Sequence, residues 1–332
     1  MKRRTFIAVS AALLALPTDG RAQRTKPTKR LAMVQSAGPT SIMTANGDER
    51  YKAFFEELSR QGYVEGQNLI VSRFSIEGHQ GRFRAVMQQA IDLAPDVIWC
   101  RGPVPAVLNS ITTNIPVVVV AGDPVAWGFT TSLARPSGNI TGVTIDGGQQ
   151  LWGKRLSFLK EAVEGLKKPG FLSTALAWEG PAGQAVRRAA DELGLSLVHA
   201  LLDADITADT YAPVFQKARA IDVDGLLVSD AGANTNYRQT IIALAIQHQL
   251  PTIYPYRDYV VDGGLLAYAT DMSAVTRTSA NQIAHLFQGA TLAEIPFVQP
   301  IKFQLIANVK AARAIGLTLP QSLLLRADEV VE

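Results

Sequence analysis

Pro116-Val117-Val118-Val119-Val120 decides the fold of this chain. A proline followed by four valines offers no polar residue at alternate positions, so neither face of the strand it forms is made for water. A strand buried on both faces belongs to a parallel sheet covered by helices on each side. Asp96-Val97-Ile98-Trp99-Cys100, a little upstream, has the same character.

Outward from these runs, short β-rich segments alternate with longer amphipathic ones. Strands are expected at residues 30–35, 68–74, 96–100, 116–120 and 139–145, with helices at 49–61, 81–93 and 105–112. Phe54, Phe55 and Leu58 share one side of the first helix, and Gly62 stops it. The alternation then begins again, with helices at 151–163, 182–193, 209–220 and 237–249 and strands at 170–175, 196–202, 225–229, 252–256 and 265–270. Such alternation implies parallel sheets with right-handed crossovers. Two series of similar length imply an α/β chain of two doubly wound, Rossmann-like lobes, first crossed near Asp146. A long helix at 273–288, a strand at 302–306 and a helix ending at Gly316 follow. This tail is too small for a third domain and is expected to run back and stitch the lobes together. The expected division is 29–146 plus 271–303 for the first lobe and 147–270 plus 304–332 for the second.

Residues 1–22 read as an export signal. Lys2, Arg3 and Arg4 form a charged start, an apolar run of about ten residues follows, and Gly20-Arg21-Ala22 offers a small-x-small cleavage site before Gln23. A membrane-spanning helix needs about 20 apolar residues, which this run does not reach. Arg3-Arg4 with Phe6-Ile7 also resembles a twin-arginine signal, with Sec export as the other route. No cysteine stands near the cleavage point, so a mature protein free in the periplasm, without a lipid anchor, is expected.

The signal accounts for the apparent basicity. The formal charge of +3 over 332 residues comes entirely from Lys2, Arg3, Arg4 and Arg21 against Asp19, which leaves the mature chain neutral by count. A neutral chain lacks the basic footprint of phosphate-backbone binding, so nucleic acid is not an expected partner. Cys100 is the single cysteine, which excludes an internal disulfide and any cysteine-based zinc site.

Catalytic signatures are missing. The sequence has no Gly-x-Ser-x-Gly elbow and no Gly-x-x-x-x-Gly-Lys phosphate loop, and Ser36-Ala37-Gly38-Pro39 lacks dinucleotide-type glycine spacing. His79, His199, His248 and His285 are scattered, without metal-ligand spacing. No catalysis, cofactor or metal is expected. In open α/β sheets, ligands bind beyond the carboxyl ends of the strands. Those ends carry Ser36 and Ala37, Arg101 and Gly102, Asp123, Asp146, Trp178 and Glu179, Asp230, Tyr256 and Arg257, and Asp271. Small residues there let a ligand approach the N–H groups that open helices, which favour an anion such as a carboxylate. Arg101 and Arg257 are candidates to pair with that anion in bidentate fashion. Asp230 or Asp271 could receive an ammonium, and Trp178, Tyr256 and Tyr268 could offer ring surfaces. The structural alternatives are a surface ion pair for each arginine, a helix cap for each aspartate and core packing for each ring.

Several longer motifs carry a family resemblance. Gly62-Tyr63-Val64-Glu65-Gly66-Gln67-Asn68, Asp123-Pro124-Val125 and the run from Ser132-Leu133-Ala134-Arg135-Pro136 to Gly142 are among them. Leu250-Pro251-Thr252-Ile253-Tyr254-Pro255-Tyr256-Arg257, Gly263-Gly264-Leu265-Leu266-Ala267-Tyr268 and the tail from Gln299-Pro300 to Leu323-Leu324-Leu325-Arg326-Ala327-Asp328-Glu329 continue the match. In order and over nearly the whole mature chain, these resemble ABC transporter substrate-binding proteins of the tryptophan/tyrosine type. The resemblance implies a type I periplasmic binding protein, with two lobes joined by three crossovers and a ligand in the cleft between them. A monomer that captures an amino acid or a small carboxylate with an aromatic or apolar side, by hinge closure, is expected. The resemblance also implies an ABC permease and ATPase at the inner membrane as its partners. It places ligand contacts at Ser36, Ala37, Gly102, Pro103, Asp123, Asp146, Trp178, Glu179, Asp230 and Asp271. Hinge residues are expected at Asp146, Thr270-Asp271 and Gln304.

Three departures fall at the cleft: Arg101-Gly102-Pro103-Val104-Pro105 replaces an Ala/Thr-rich helix start, Ala177-Trp178-Glu179-Gly180-Pro181 an Asn-Pro type loop, and Thr270 a proline. The tryptophan/tyrosine label is therefore not carried over to the ligand. The alternatives are a periplasmic sensor of the same fold that feeds a membrane receptor, and a secreted α/β enzyme using the acidic loop residues.

Overall fold

The structure is a computed structural model that describes residues 26–102, 114–145, 150–202 and 206–332. The export signal, the helix expected at 105–112, Pro103 and Asp146 lie outside the described residues. The first sheet contains β1 (Lys29–Gln35), β2 (Leu69–Ser75), β3 (Val97–Arg101), β4 (Val117–Ala121) and β5 (Ile140–Thr144). All pair in parallel, in the order β2-β1-β3-β4-β5.

The valine run, now β4, serves two cores at once. Val117 and Val119 join Ala32, Val34, Ile98 and Cys100 in one layer, against Phe83, Val86 and Met87 of the helix Phe83–Asp92. Val118 and Val120 join Leu31, Met33 and Trp99 in the other, against Tyr51, Phe54 and Leu58 of the helix Glu49–Arg60. The period of two along each strand makes this division. Each large apolar side chain so buried contributes roughly 1.5–3 kcal/mol. Burial also pushes the Cys100 thiol up to about 12, which leaves it protonated and inert.

The second sheet contains β6 (Pro169–Thr174), β7 (Val198–Leu202), β8 (Gly225–Val228), β9 (Thr252–Tyr254), β10 (Leu266–Thr270), β11 (Phe303–Asn308) and β12 (Glu329–Val331). Its order is β12-β11-β10-β9-β8-β6-β7, so its first five strands repeat the winding of the first sheet. Here too alternate residues divide between two cores, with Leu172, Leu226 and Val228 on one face and Phe171, Leu227 and Ile253 on the other. The molecule is thus two doubly wound α/β lobes. The parallel reading of the sheets needs one correction, because β11 runs antiparallel to β10, with Thr270 opposite Phe303 and Ala269 opposite Gln304.

The route of the tail explains that antiparallel pair. Beyond β10 the chain leaves the second sheet, and the helix Met272–Phe287 packs on the first, with Val275, Ile283 and Phe287 in its core. The Trp99 indole donates to Ser279 Oγ at 2.9 Å from beneath. Val298 then bridges to Val143 of β5 before the chain returns. Because it left from the carboxyl end of β10, it re-enters the second sheet at that end and must run the other way. Gln304, expected at a hinge, is the second residue of β11, and residues 299–302 lead into that strand.

Other differences are local. The helix expected at 237–249 is present as Arg238–Gln247, and a further short helix, Gly232–Asn236, precedes it. Trp178 and Glu179, expected in a loop, close a short helix, Ala175–Glu179, whose N-cap Thr174 Oγ1 accepts from Ala177 N at 3.2 Å. Gly180 ends that helix, and Pro181 opens Pro181–Glu192.

Glu57 ties the helices Glu49–Arg60 and Met272–Phe287 together. It is 3% exposed, and its carboxylate accepts from Arg60, Gln61 and Asn281. Chiefly through the Arg60 bond, against the opposing effect of burial, its pKa falls from 4.5 to about 2. A folded-state pKa below the unfolded one gives stability that is complete above about pH 4.5 and is lost as pH falls toward 2. Glu57→Gln is expected to remove about 2 kcal/mol at pH 7, after allowance for the exposed Arg60, and to flatten the acid limb of the stability curve. Urea unfolding between pH 7 and pH 2.5 reads both.

Candidate functional site

The two sheets share a winding order that reverses between β1 and β3 in one and between β6 and β8 in the other. At such a switch point, the loops leaving neighbouring strands diverge and open a crevice at their carboxyl ends. In this fold the two crevices face each other. Ser36, Ala37, Arg101 and Gly102 come from the first lobe, and Asp230, Thr235 and Tyr256 from the second; together they wall one central cavity of about 10 Å³ above Met272.

Larger spaces flank this cavity and share its walls. Arg101 also lines a cavity of about 350 Å³ with Gly38, Arg50 and Asn236. Tyr256 also lines one of about 470 Å³ with Arg50, Arg257, Asp258 and Asp271. Asp230 lines a third, of about 40 Å³, with Asp123, Trp127 and Trp152. The interlobe space is thus one cleft divided into compartments by a few polar side chains.

Local packing fixes these walls. Ser36 N donates to Arg101 O at 3.0 Å, which draws the β1 and β3 loops together. Gly102 permits that approach: it sits at φ +111°, and a Cβ there would lie 1.9 Å from Ser36 Oγ. Gln35 donates to the carbonyls of Gly38 and Pro39, both at 3.0 Å, and accepts from the buried Tyr51 hydroxyl. Burial raises the Tyr51 phenol, and the nearby positive charge of Arg101 opposes the shift. Among the described residues, no carboxylate forms an ion pair with Arg101.

Asp230 is the negative counterpart on the second lobe. Burial pushes its carboxyl above the usual range, and the positive charge of Arg155 opposes the shift. Arg155 is 4% exposed and donates to the carbonyls of Tyr268 at 2.9 Å and Pro255 at 3.1 Å. Burial also raises the Tyr256 phenol, helped by Asp230 and opposed by Arg101 and Arg155, so it stays a neutral donor. An arginine on one wall and a carboxylate with a raised pKa on the other suit a ligand carrying both an anionic and a cationic group.

The remaining candidates are not gathered at this centre. Arg257 makes a bidentate pair with Glu329, at 2.6 and 2.7 Å, on the rim of the 470 Å³ cavity. Asp271 caps the helix Met272–Phe287 by accepting from Ala274 N at 3.0 Å. Asp123 Oδ1 accepts from Val125 N and Ala126 N, which holds a turn. Trp178 stacks on His199 with ring centres 4.2 Å apart, and Arg187 covers it at 4.5 Å. Glu179 is exposed, and neither Trp178 nor Glu179 walls any cavity described above.

Sequence reasoning missed Arg50, which lines both large cavities. It stands in the first turn of the helix Glu49–Arg60, where the helix dipole disfavours a positive charge. A basic residue just after the N-cap Asp48, next to a cleft loop, was the available signal.

A family profile described as ABC transporter substrate binding protein matches residues 42–331. The chain belongs to that family. No curated protein matches it. Among solved structures, a conserved domain protein from Vibrio cholerae O1 biovar El Tor is similar, at 21% identity and a TM-score of 0.79 over 91% of this chain and 99% of that one. An ABC domain from Streptococcus pneumonia, solved in complex with L-Trp, is similar at 20% identity and 0.78, over 92% and 100%. A ligand-free, open substrate-binding protein with adhesive properties from Clostridium difficile gives 17% and 0.61, over 92% and 99%. Membership of the family makes this a substrate-binding protein on the type I periplasmic binding fold. No helix among the described residues is long and apolar enough to cross a membrane.

Asp230 supplies a test that needs no ligand. Its raised folded-state pKa means that stability falls as pH rises from its unfolded value of 3.8 through the folded one. Asp230→Asn is therefore expected to raise the Tm of the unliganded protein at pH 7, by about 2 °C for 1 kcal/mol. The gain should vanish near pH 3.5, and calorimetry at the two pH values measures it.

Proposed function

We infer that this protein is the periplasmic substrate-binding component of an ABC importer. In this reading it takes an amino acid or a related small carboxylate bearing an amine. The observation that carries the ligand class is the placement of Arg101 and Asp230 on opposite lobes around one small cavity, each also lining a flanking space of the same cleft. Arg101 would receive the carboxylate, with Ser36 and the Tyr256 hydroxyl beside it, and Asp230 would receive the ammonium. Charged hydrogen bonds of this kind contribute about 1.5–3 kcal/mol each once water is excluded. The L-Trp bound to the similar S. pneumonia domain supports an amino-acid ligand.

Capture works by hinge closure. Ligand meets one lobe in the open form and both lobes in the closed form, so it favours closure by the difference between the two sets of contacts. The pivots are the three crossings near residues 146, 271 and 299–302. The closed monomer then presents both lobes to a permease, whose ATPase drives uptake. The N-terminal signal supports delivery to the periplasm.

A thermal-shift screen of residues 23–332 against amino acids, aromatic carboxylates, small peptides and purines tests the reading. Ligand at 100 times its Kd adds about 2.7 kcal/mol of stability. An amino acid is expected to shift the wild type without chemical change. Arg101→Gln should cost about 2 kcal/mol of binding for any hit that carries a carboxylate. Asp230→Asn should weaken amino acids far more than their deaminated analogues. Equal loss for both, or a hit that lacks a carboxylate, would refute the assignment of the two ends.

A further inference from the structure

Arg50 is held on the first lobe with unusual completeness. Asp48, the N-cap of its helix, accepts from the backbone N–H of Arg50 and Tyr51 and from Arg50 Nε at 3.1 Å, and Arg50 Nη2 pairs with the same carboxylate. The Arg50 carbonyl accepts from Thr276 Oγ1 at 2.9 Å, which ties it to the helix Met272–Phe287. Burial works against the Asp48 charge, but the Arg50 bond and charge still hold its carboxyl below the usual range. The Arg50 side chain is 16% exposed, and these bonds restrain it. Its remaining nitrogen, Nη1, reaches across the cleft to Asp258 Oδ2 of the second lobe at 3.2 Å.

We propose that Arg50 and Asp258 form an interlobe latch, which positions the lobes for binding and sets part of the affinity without touching the ligand. Arg50 lines both the 350 and the 470 Å³ compartment, as does Arg238, so the pair stands at the boundary between them. A second contact lies farther along the cleft, where Gly38 N donates to Asn236 Oδ1 of the other lobe at 2.6 Å. Close beside it, Gly232 lies so near the Ser36 carbonyl that a Cβ would come within 2.8 Å of its oxygen. These contacts join protein to protein, so their free energy favours closure whatever the ligand is. The fraction of molecules already closed multiplies the intrinsic affinity. Asp258 is 47% exposed, so the pair is screened by salt, and closure inherits that sensitivity.

The latch rests on the hinge-closure reading, but its test needs no ligand. Spin labels at Glu56→Cys and Arg219→Cys, both exposed and on opposite lobes, report the interlobe distance, while the buried Cys100 stays unlabelled. At about 0.05 M salt, the unliganded wild type should show a short-distance population that shrinks at about 0.5 M. Asp258→Asn should shrink it at low salt and abolish the salt effect, whereas Asp258→Glu should behave like the wild type. Arg50→Gln is the second variant, with its fold checked by circular dichroism because Asp48 loses a partner. For any ligand found, Asp258→Asn should raise Kd roughly threefold. Identical distance distributions for wild type and Asp258→Asn at both salt concentrations would overturn the latch. A flat ligand screen would instead count against the importer reading and leave the distances as they are.

Discussion

The cleft depends on a buried hydrogen bond between two of its crossings. Thr270 Oγ1, at the end of β10, donates to the carbonyl of Ile145, just beyond β5, at 2.6 Å. Thr270 is 7% exposed, so neither group has ready access to water, and losing one partner would leave the other unsatisfied. The bond fixes where one sheet meets the other. The two switch points then face each other at a set distance from this edge. A proline at this position, usual in the resembled family, would offer no hydroxyl for the bond.

Around that fixed edge, the charges are distributed unequally. Arg101 lacks a carboxylate partner among the described residues, and Asp230 bears a cost of burial that the Arg155 charge and a backbone hydrogen bond offset only in part. Elsewhere the same residue types are satisfied within the fold: Arg257 by Glu329, Arg238 by Asp262 at 2.5 Å, and Asp271 by the helix it caps. A protein selected for stability alone would pair or remove the first two. Their retention at the meeting point of two lobes is the pattern expected where binding is favoured over stability.

The strands were the most legible part of the sequence. The Val117–Val120 run has one reading, and its alternate residues do face two cores. The antiparallel β11 was not legible, because direction depends on where the chain re-enters a sheet, and no side chain records that. The meeting of Ser36, Arg101, Asp230 and Tyr256 at one cavity was legible by position, since strand ends can be read from the run itself. Trp178 misled because an aromatic residue after a strand looks the same whether it faces a cleft or stacks on a neighbouring strand, as it does here on His199. Arg50 was invisible because its partner Asp258 is 208 residues away, and the lobes must be assembled before the two meet.

The helix Met272–Phe287 carries a consequence for how the chain acquires its structure. It supplies Val275, Ile283 and Phe287 to the core beneath β1, β3 and β4, so that face of the first sheet, packed until then by the helix Glu49–Arg60 alone, is incompletely covered until residue 287 has been made. The second sheet, in turn, lacks β11 and β12 until the tail has returned from the first. Neither lobe can complete itself before the other has largely formed. During synthesis the first lobe therefore waits for sequence about 250 residues downstream of its own first strand, and the long-range pairing this requires slows folding. The finished protein has two separate sheets, yet its two lobes come into being as one.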